Sequence, residues 1–390
     1  MLEGVNVALG VSGSIAAVKV VELAHELRRH GATVRGVMTP AAQGIIHPWA
    51  LEFATERDVV TEITGRVEHV ELCGREGWAD VLLLAPATAN TVGKVASAVD
   101  DTPVTTCATT ALGAGIPVVC APAMHEPMYD HPGVGSALAR LEEWGVGFVD
   151  PRLEEGKAKV ATEQAIVTGV ARAVASHALA DRHVVVTAGA TAEPIDPVRL
   201  LTNRSSGRTG RAIARVCHVQ GADVTLVHGT GSSRPEVDGH YADVEWVETG
   251  EEMLAATLDA CDDADALLSA AAISDFTVAE SEEKIRSGDA RTLDLQPAPK
   301  LIDAVRDAHP DLPIVGFKAE TSGDDAAMVE QARRIMSRAG LAFVVANDAS
   351  VMGADETRAL VVRDADHDEF AGSKLALGER IVVELADELG

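Results

Sequence analysis

The sequence predicts an α/β protein made of two doubly wound parallel-sheet domains. Three features carry this expectation. The chain has 390 residues, which suits two domains. Hydrophobic residues make up 47% but aromatics only 3%, so two cores can be built, chiefly from Ala, Val, Leu and Ile. A strand-turn-helix-strand grammar opens the chain and starts again at residue 183, which is the signature of Rossmann- or flavodoxin-like sheets.

The elements follow in order. Val5–Leu9 is a short apolar strand that meets the Gly/Ser turn of "GVSGS". A helix follows with Ala16, Val20, Leu23, Ala24 and Leu27 on one face. Gly31 ends it before a strand over Thr33–Met38. "DVLLLAPATAN" and "PVVCAPAM" read as buried strands ending in small-residue loops. The second start has a strand at Val184–Thr187, an insertion, a helix from about Thr209 closed by Gly221, and a strand at Asp223–Val227. "ADALLSAAAISDF", "PIVGFKAET" and "LAFVVANDAS" continue the pattern. The boundary falls near 178–182, giving domains 1–180 and 181–390. Ligands of such sheets bind at the carboxyl ends of the strands, where all these loops lie.

Composition excludes several classes. Sixty acidic residues against 33 basic ones leave a net charge of −27, spread among apolar runs rather than massed in a tail. That field repels nucleic acids and anionic membranes, so an anionic ligand needs a local positive site. Only 8 of the basic residues are Lys, a balance that suits a cytoplasm at high salt. The five Cys (73, 107, 120, 217 and 261) include no C-x-x-C pair, so neither a disulfide framework nor a zinc site is signalled. No leader pattern and no membrane-length apolar stretch is present, and a soluble cytoplasmic protein is expected.

In the first half, "GVSGSIAA" places Ser12, Gly13, Ser14, Ile15 and Ala16 at a helix start, where free N–H groups can take a phosphate. "APATANTVGKVA" offers Pro86, Ala87, Thr88 and Asn90 after a second strand. "VEHVEL" carries His69, and "APAMHEPMYDHP" carries Met124 and His125. Taken singly, these read as a tight turn, a structural histidine and a proline-tied loop. Taken together and in order, "SGSIAAVK", "HVEL", "LAPATANT" and "PAMHEPMY" resemble the flavin-containing cysteine decarboxylases. They are most similar to the decarboxylase half of the bifunctional phosphopantothenoylcysteine decarboxylase/phosphopantothenate–cysteine ligase family of coenzyme A synthesis. The resemblance implies FMN held by Ser12–Ala16, Thr39, Pro86, Ala87, Thr88 and Asn90, with His69 as the active-site histidine and the Pro122–Met128 loop, through Met124 and His125, against substrate. Flavin would supply the electron sink that decarboxylation of an acylated Cys lacks, and a near-neutral His can handle protons. Two departures stand out. His125 occupies a position that is Asn in common members, and the flap "DPRLEEGKAKVATEQA" lacks the family's Cys. His125 and Lys159 are the alternative candidates for the final proton donor.

In the second half, "TNRSSGRTGRAIARV" looks like an anion-binding turn feeding a helix, yet it is neither a Walker phosphate loop nor G-x-G-x-x-G. With "TAEPIDPVRLL" before it, and "SAAAISDF", "EEKIRSG", "PAPKL", "VGFKAET" and "VAND" after it, it resembles the ligase half of the same family. The resemblance implies that CTP activates a carboxylate as an acyl-cytidylate, from which the Cys amine displaces CMP. Asn203 would hold the acyl carbonyl, and Arg199 the phosphate of 4'-phosphopantothenate, reaching across from a partner subunit. Ser205, Ser206 and Gly207 would face phosphate, and Lys284 would be the catalytic lysine. Arg286 and Ser287 replace the two later lysines of the family's K-x-K-K run, so only Lys284 is assigned. Ala271 and Asp275 would line the nucleotide, with Phe317 near the cytosine and Arg334 and Arg338 on a late helix; the plain alternative for these two is a solvated helix face. Mg²⁺ would bridge the triphosphate, with no protein ligand assigned. The product would then be decarboxylated to 4'-phosphopantetheine. The family also implies a homo-oligomer, a dodecamer of trimers joined by dimers.

Other readings fit less well. A dinucleotide-dependent oxidoreductase needs G-x-G-x-x-G and an acidic residue after the second strand, and neither half has both. A flavin prenyltransferase-like first half leaves the second-half signature unexplained. A non-enzymatic phosphatase regulator would not need His69.

Overall fold

A computed structural model of the chain describes every residue except 155, 236, 238, 287, 289, 291, 321–323 and 349–355. The chain divides into two compact units, Met1–Ser176 and His177–Gly390.

The first unit has a five-stranded parallel sheet. Its order across the sheet is Thr33–Met38, Asn6–Val11, Val81–Ala87, Val118–Pro122 and Gly147–Phe148. In chain order that is 2-1-3-4-5, the flavodoxin arrangement. The strands are Val-, Leu- and Ala-rich because both faces are covered. On one side Leu82, Leu84 and Cys120 pack with Val104, Cys107 and Ala108 of the Pro103–Ala114 helix. On the other lie the helices Val20–Arg29 and Glu163–Val174. The Val20–Arg29 helix buries Val20, Leu23, Ala24 and Leu27, as their spacing predicts. Ala16 belongs instead to a separate 3₁₀ turn, Ile15–Lys19, and is half-buried.

The main sheet of the second unit has eight strands. Six parallel ones run in the order Asp243–Val247, Asp223–Thr230, His183–Ala190, Ala266–Ser269, Ile314–Glu320 and Phe343–Asp348. This is the Rossmann order 3-2-1-4-5-6. An antiparallel pair, Glu356–Val362 and His367–Ser373, extends the far edge. The helices Arg208–Val219 and Lys374–Leu389 close one face through Ile213, Val216, Leu377 and Ile381. The helices Gly250–Ala260, Leu301–Ala308 and Asp325–Ala339 close the other through Met253, Val305 and Met336. The insertion after the first strand of this unit is itself a two-stranded hairpin, Ala192–Asp196 with Arg199–Thr202.

Candidate functional site

Each sheet has a switch point, where strand order reverses and a crevice opens at the carboxyl edge. In the first unit it lies between Asn6–Val11 and Val81–Ala87. The Ser12 side chain is buried there. Its Oγ donates to the Pro86 carbonyl at 2.5 Å and accepts from the Thr88 N–H at 3.0 Å. Ser14 caps the 3₁₀ turn by accepting from the Ala16 N–H, and its Oγ reaches the Ala123 carbonyl at 3.5 Å. Thr39, joined to Val11 through its backbone N–H, caps the next turn at Ala42. Thr88 caps the Ala89–Val95 helix at Thr91, leaving Asn90 exposed in its first turn. A Cβ on Gly13 would stand 2.5 Å from the Ala41 Cβ, so the turn lies directly on the Thr39 cap. Ser12, Gly13, Ser14, Thr39, Pro86, Ala87, Thr88 and Asn90 thus share one edge, with three helix starts facing it.

His69 stands on another element, the Glu68–Cys73 helix. The chain reaches it from Val60, which pairs in parallel with Val37, so it passes the same carboxyl edge. The Nδ1 of His69 is buried with no hydrogen-bond partner. Met124–His125 forms a short strand against Lys157–Lys159, which pairs in turn with Arg152–Glu154, so the flap is a hairpin laid on the Met124 loop. His125 is exposed, and Lys159 is bonded to Glu154 at 3.1 Å. Burial pushes the Cys120 thiol up to about 12, so it stays protonated.

In the second unit the switch point lies between His183–Ala190 and Ala266–Ser269. Asn203 sits there, its Nδ2 donating to the Ala272 carbonyl at 2.6 Å and its Oδ1 accepting from the Ser205 N–H at 3.0 Å. The Ala271 N–H donates to Thr187 and the Ser274 N–H to Thr191, which draws the 271–275 loop against the first strand. Ala271, Asp275, Phe317 and Arg338 line one cleft of about 180 Å³ together with Lys300 and Asp303. Lys300 lies 2.5 Å from Asp275, and Arg338 lies 2.6 Å from Asp303. Arg334 is not on this cleft; it is exposed and paired with Glu330.

Ser205, Ser206 and Gly207 form the turn into the Arg208–Val219 helix, Gly207 taking the left-handed φ of +69°. His228 lies beneath it, buried, with Nδ1 on the Gly229 carbonyl and Nε2 facing Arg211 Nη1 at 2.8 Å. A guanidinium can only donate, so Nε2 accepts and the proton sits on Nδ1. Arg211 also donates to the Ser206 carbonyl. Burial, with the Arg211 charge adding to it, pushes the His228 imidazole down to about 4.

Arg199 and Lys284 meet through a residue that the motif contains but whose role spacing does not announce. Asp196 is buried, and its Oδ1 accepts from the N–H groups of Val198 and Arg199, both at 2.9 Å. Its Oδ2 accepts from the Ile285 N–H at 3.0 Å and from Arg199 Nη1 at 2.5 Å. Burial pushes the carboxyl up, but these donors outweigh it and hold it below the usual carboxylate range. Lys284 itself is exposed, one residue before Ile285. Ser287 of the same run lies outside the described residues. Besides Asp196, sequence reasoning passed over Lys300, whose only signal was "PAPKL", and the His228–Arg211 pair, which had none. Among the described residues, no group of three or more His, Cys, Asp or Glu could hold a metal ion, and no helix is long and apolar enough to cross a membrane.

Comparison with known proteins follows the same two-part division. Residues 1–175 match the family described as Flavoprotein, and residues 179–389 match the DNA/pantothenate metabolism flavoprotein C-terminal domain. The coenzyme A biosynthesis bifunctional protein CoaBC of Thermococcus kodakarensis is 47% identical over 383 residues, covering 97% of this chain and 94% of that protein. The protein of the same name from Methanocaldococcus jannaschii is 34% identical over 98% of this chain and 93% of its own length. Among solved structures, the DNA/pantothenate metabolism flavoprotein of Streptococcus pneumoniae aligns with a TM-score of 0.48 at 24% identity, over 53% of this chain and 99% of that one.

Proposed function

Because the chain belongs to the family of bifunctional coenzyme A biosynthesis proteins, we propose that it joins 4'-phosphopantothenate to Cys at the expense of CTP and then decarboxylates the product to 4'-phosphopantetheine. Residues 181–390 carry the ligation and residues 1–180 the decarboxylation. The observation behind this reading is that Ser12 meets Thr88 in the first unit, and Asn203 meets Ala272 in the second, beyond the carboxyl ends of the strands that flank each switch point.

The first site fits FMN. Its helix starts can take one phosphate, Gly13 leaves no room for a side chain, and the buried Nδ1 of His69 lacks a partner that a bound molecule can supply. Ser12–Ala16, Thr39, Pro86, Ala87, Thr88 and Asn90 would hold it. When bound, FMN supplies the two-electron sink for loss of CO₂. His69 manages a proton at the substrate thiol or carboxylate, and Met124 and His125 border the substrate. His125 donates the final proton more readily than Lys159, which is held by Glu154.

At the second site, Asn203 has one Nδ2 proton left for the acyl carbonyl after its bond to Ala272. Ser205–Gly207 turn toward phosphate, Lys284 brings a movable positive charge, and Arg199 meets the phosphate of phosphopantothenate. Ala271, Asp275, Phe317 and Arg338 take the nucleotide in their cleft. Opposite charges here offset the repulsion between a carboxylate and a phosphate. Mg²⁺ would arrive with the triphosphate, in keeping with its preference for phosphates, water and few carboxylates.

The chain works in the cytoplasm as a homo-oligomer of trimers and dimers. Exposed Ile15, Trp49 and Phe53 in the first unit, and Val198, Phe276 and Leu295 on the hairpins of the second, supply apolar surface for such contacts. Incubation with 4'-phosphopantothenate, Cys, CTP and Mg²⁺, followed by mass spectrometry, tests the whole reading. CMP, pyrophosphate and 4'-phosphopantetheine are expected, and absence of a CTP-dependent amide overturns it.

A further inference from the structure

We propose that Asp196 is a positioning residue that sets Arg199 and the Lys284 segment as a single unit. The proposal rests on the ligase reading above. An aspartate in a hairpin turn commonly spends one oxygen on the N–H groups just after it, and Oδ1 does this with Val198 and Arg199. The other oxygen of such a turn ordinarily faces water. In this protein Oδ2 is turned inward and takes the N–H of Ile285, a residue 89 positions away, together with Arg199 Nη1.

Arg199 then closes a ring. Its Nη2 donates to the Ile285 carbonyl at 2.8 Å, so both the N–H and the C=O of Ile285 are held by the Asp196–Arg199 pair. Ser281 adds a second tie through its N–H to the Ile195 carbonyl. The segment that carries Lys284 is therefore bracketed on both sides by the Ala192–Asp196 strand. Arg199 keeps 43% of its side chain exposed, and its remaining N–H groups are aimed by the same two bonds. A buried carboxylate is tolerable only when its lone pairs are filled, and here four donors fill them. The cation assigned to the substrate phosphate and the segment that carries the catalytic lysine thus depend on one carboxylate.

Asp196→Asn separates this role from the turn. The amide has one oxygen, which can serve the local pair of N–H groups, but its NH₂ then confronts two donors at Ile285 and Arg199. Phosphopantothenate KM is expected to rise and amide formation from the acyl-cytidylate to slow, together lowering kcat/KM at least about tenfold. On an Arg199→Met, Lys284→Gln background the same change is expected to cost much less, because its effect passes through those residues. Because Asp196 lies in the second compact unit, a cooperative denaturant transition of the full-length variant, matched to that of the wild type, reports on its folding. If Asp196→Asn fails to fold, Arg199→Lys carries the test. Lysine can reach Asp196 but cannot also hold the Ile285 carbonyl, so acyl-cytidylate should accumulate as in Lys284→Gln. Full additivity on the double background, or an Arg199→Lys defect confined to phosphopantothenate KM, overturns the proposal. A wild-type protein that makes no CTP-dependent amide instead overturns the ligase reading on which it rests.

Discussion

Gly207→Ala should disable ligation while sparing decarboxylation. Gly207 has φ +69° and ψ 4°, and an L-residue held in that region costs about 1–2 kcal/mol. The added Cβ would also stand 2.5 Å from His228 Nε2 and 2.8 Å from the Gly189 backbone N. Neither neighbour can easily give way. The Gly189 atom is main chain of a central strand, and the His228 ring is fixed by Gly229, by Arg211 and by Trp246, whose ring centroid is 4.9 Å away. Overpacking of this kind costs about 1–3 kcal/mol, so the turn is displaced under a total of roughly 2–5 kcal/mol. At about 1.36 kcal/mol per tenfold in rate, kcat/KM for CTP should fall between roughly 30-fold and a few thousand-fold. Pyrophosphate release measures ligation, and CO₂ release from supplied phosphopantothenoylcysteine measures the first unit in the same sample. A variant that ligates within about twofold of wild type would refute the idea that this turn presents phosphate-binding N–H groups.

Other outcomes follow from the same geometry. His69→Asn should abolish CO₂ release and let phosphopantothenoylcysteine accumulate, because His69 lies in the other compact unit from the ligase residues; normal CO₂ release sinks that assignment. Asn203→Asp sets a negative charge beside a phosphate, a cost on the order of a few kcal/mol at effective ε near 20. It should impair formation of acyl-cytidylate, whereas Lys284→Gln should slow its capture by Cys; full amide formation by both variants in rapid-quench assays contradicts the roles. Acid should destabilise the second unit through His228. Its folded pKa of about 4 lies below the ordinary 6.5, so between those values the unfolded chain binds a proton that the folded one refuses, and stability falls as pH falls through that window. Denaturant titrations should show wild type losing stability relative to His228→Gln from about pH 6.5 to 4; a constant difference between the two argues against it. Light scattering at high salt should give a multi-chain mass, and a monomer mass contradicts the oligomer reading.

Much of the fold is local and therefore legible in the sequence. Thr33–Met38 is a strand with the bounds its pattern predicts, because alternation and the flanking Gly31 act over a few residues. The doubled β-turn-α-β grammar led to two wound parallel sheets for the same reason. The Ser12–Ser14 turn, Thr88 and the "NRSSG" turn could be singled out because helix starts are marked by neighbouring residues. What the periodicity could not decide were relations across long stretches of chain. Sheet order differs between the units, 2-1-3-4-5 against 3-2-1-4-5-6, although their opening grammar is alike. The insertion became a hairpin because its backbone groups found partners in each other. Arg334 and Arg338 share a helix and, four residues apart, one face of it, yet only Arg338 reaches the cleft, since the two lie about 6 Å apart along the helix axis and only the last turn comes beside Asp303. Asp196 looks like an ordinary turn residue until folding brings Ile285 to it. Local chemistry sets which elements form, while burial and the need to satisfy each buried polar group decide which distant residues those elements bring together.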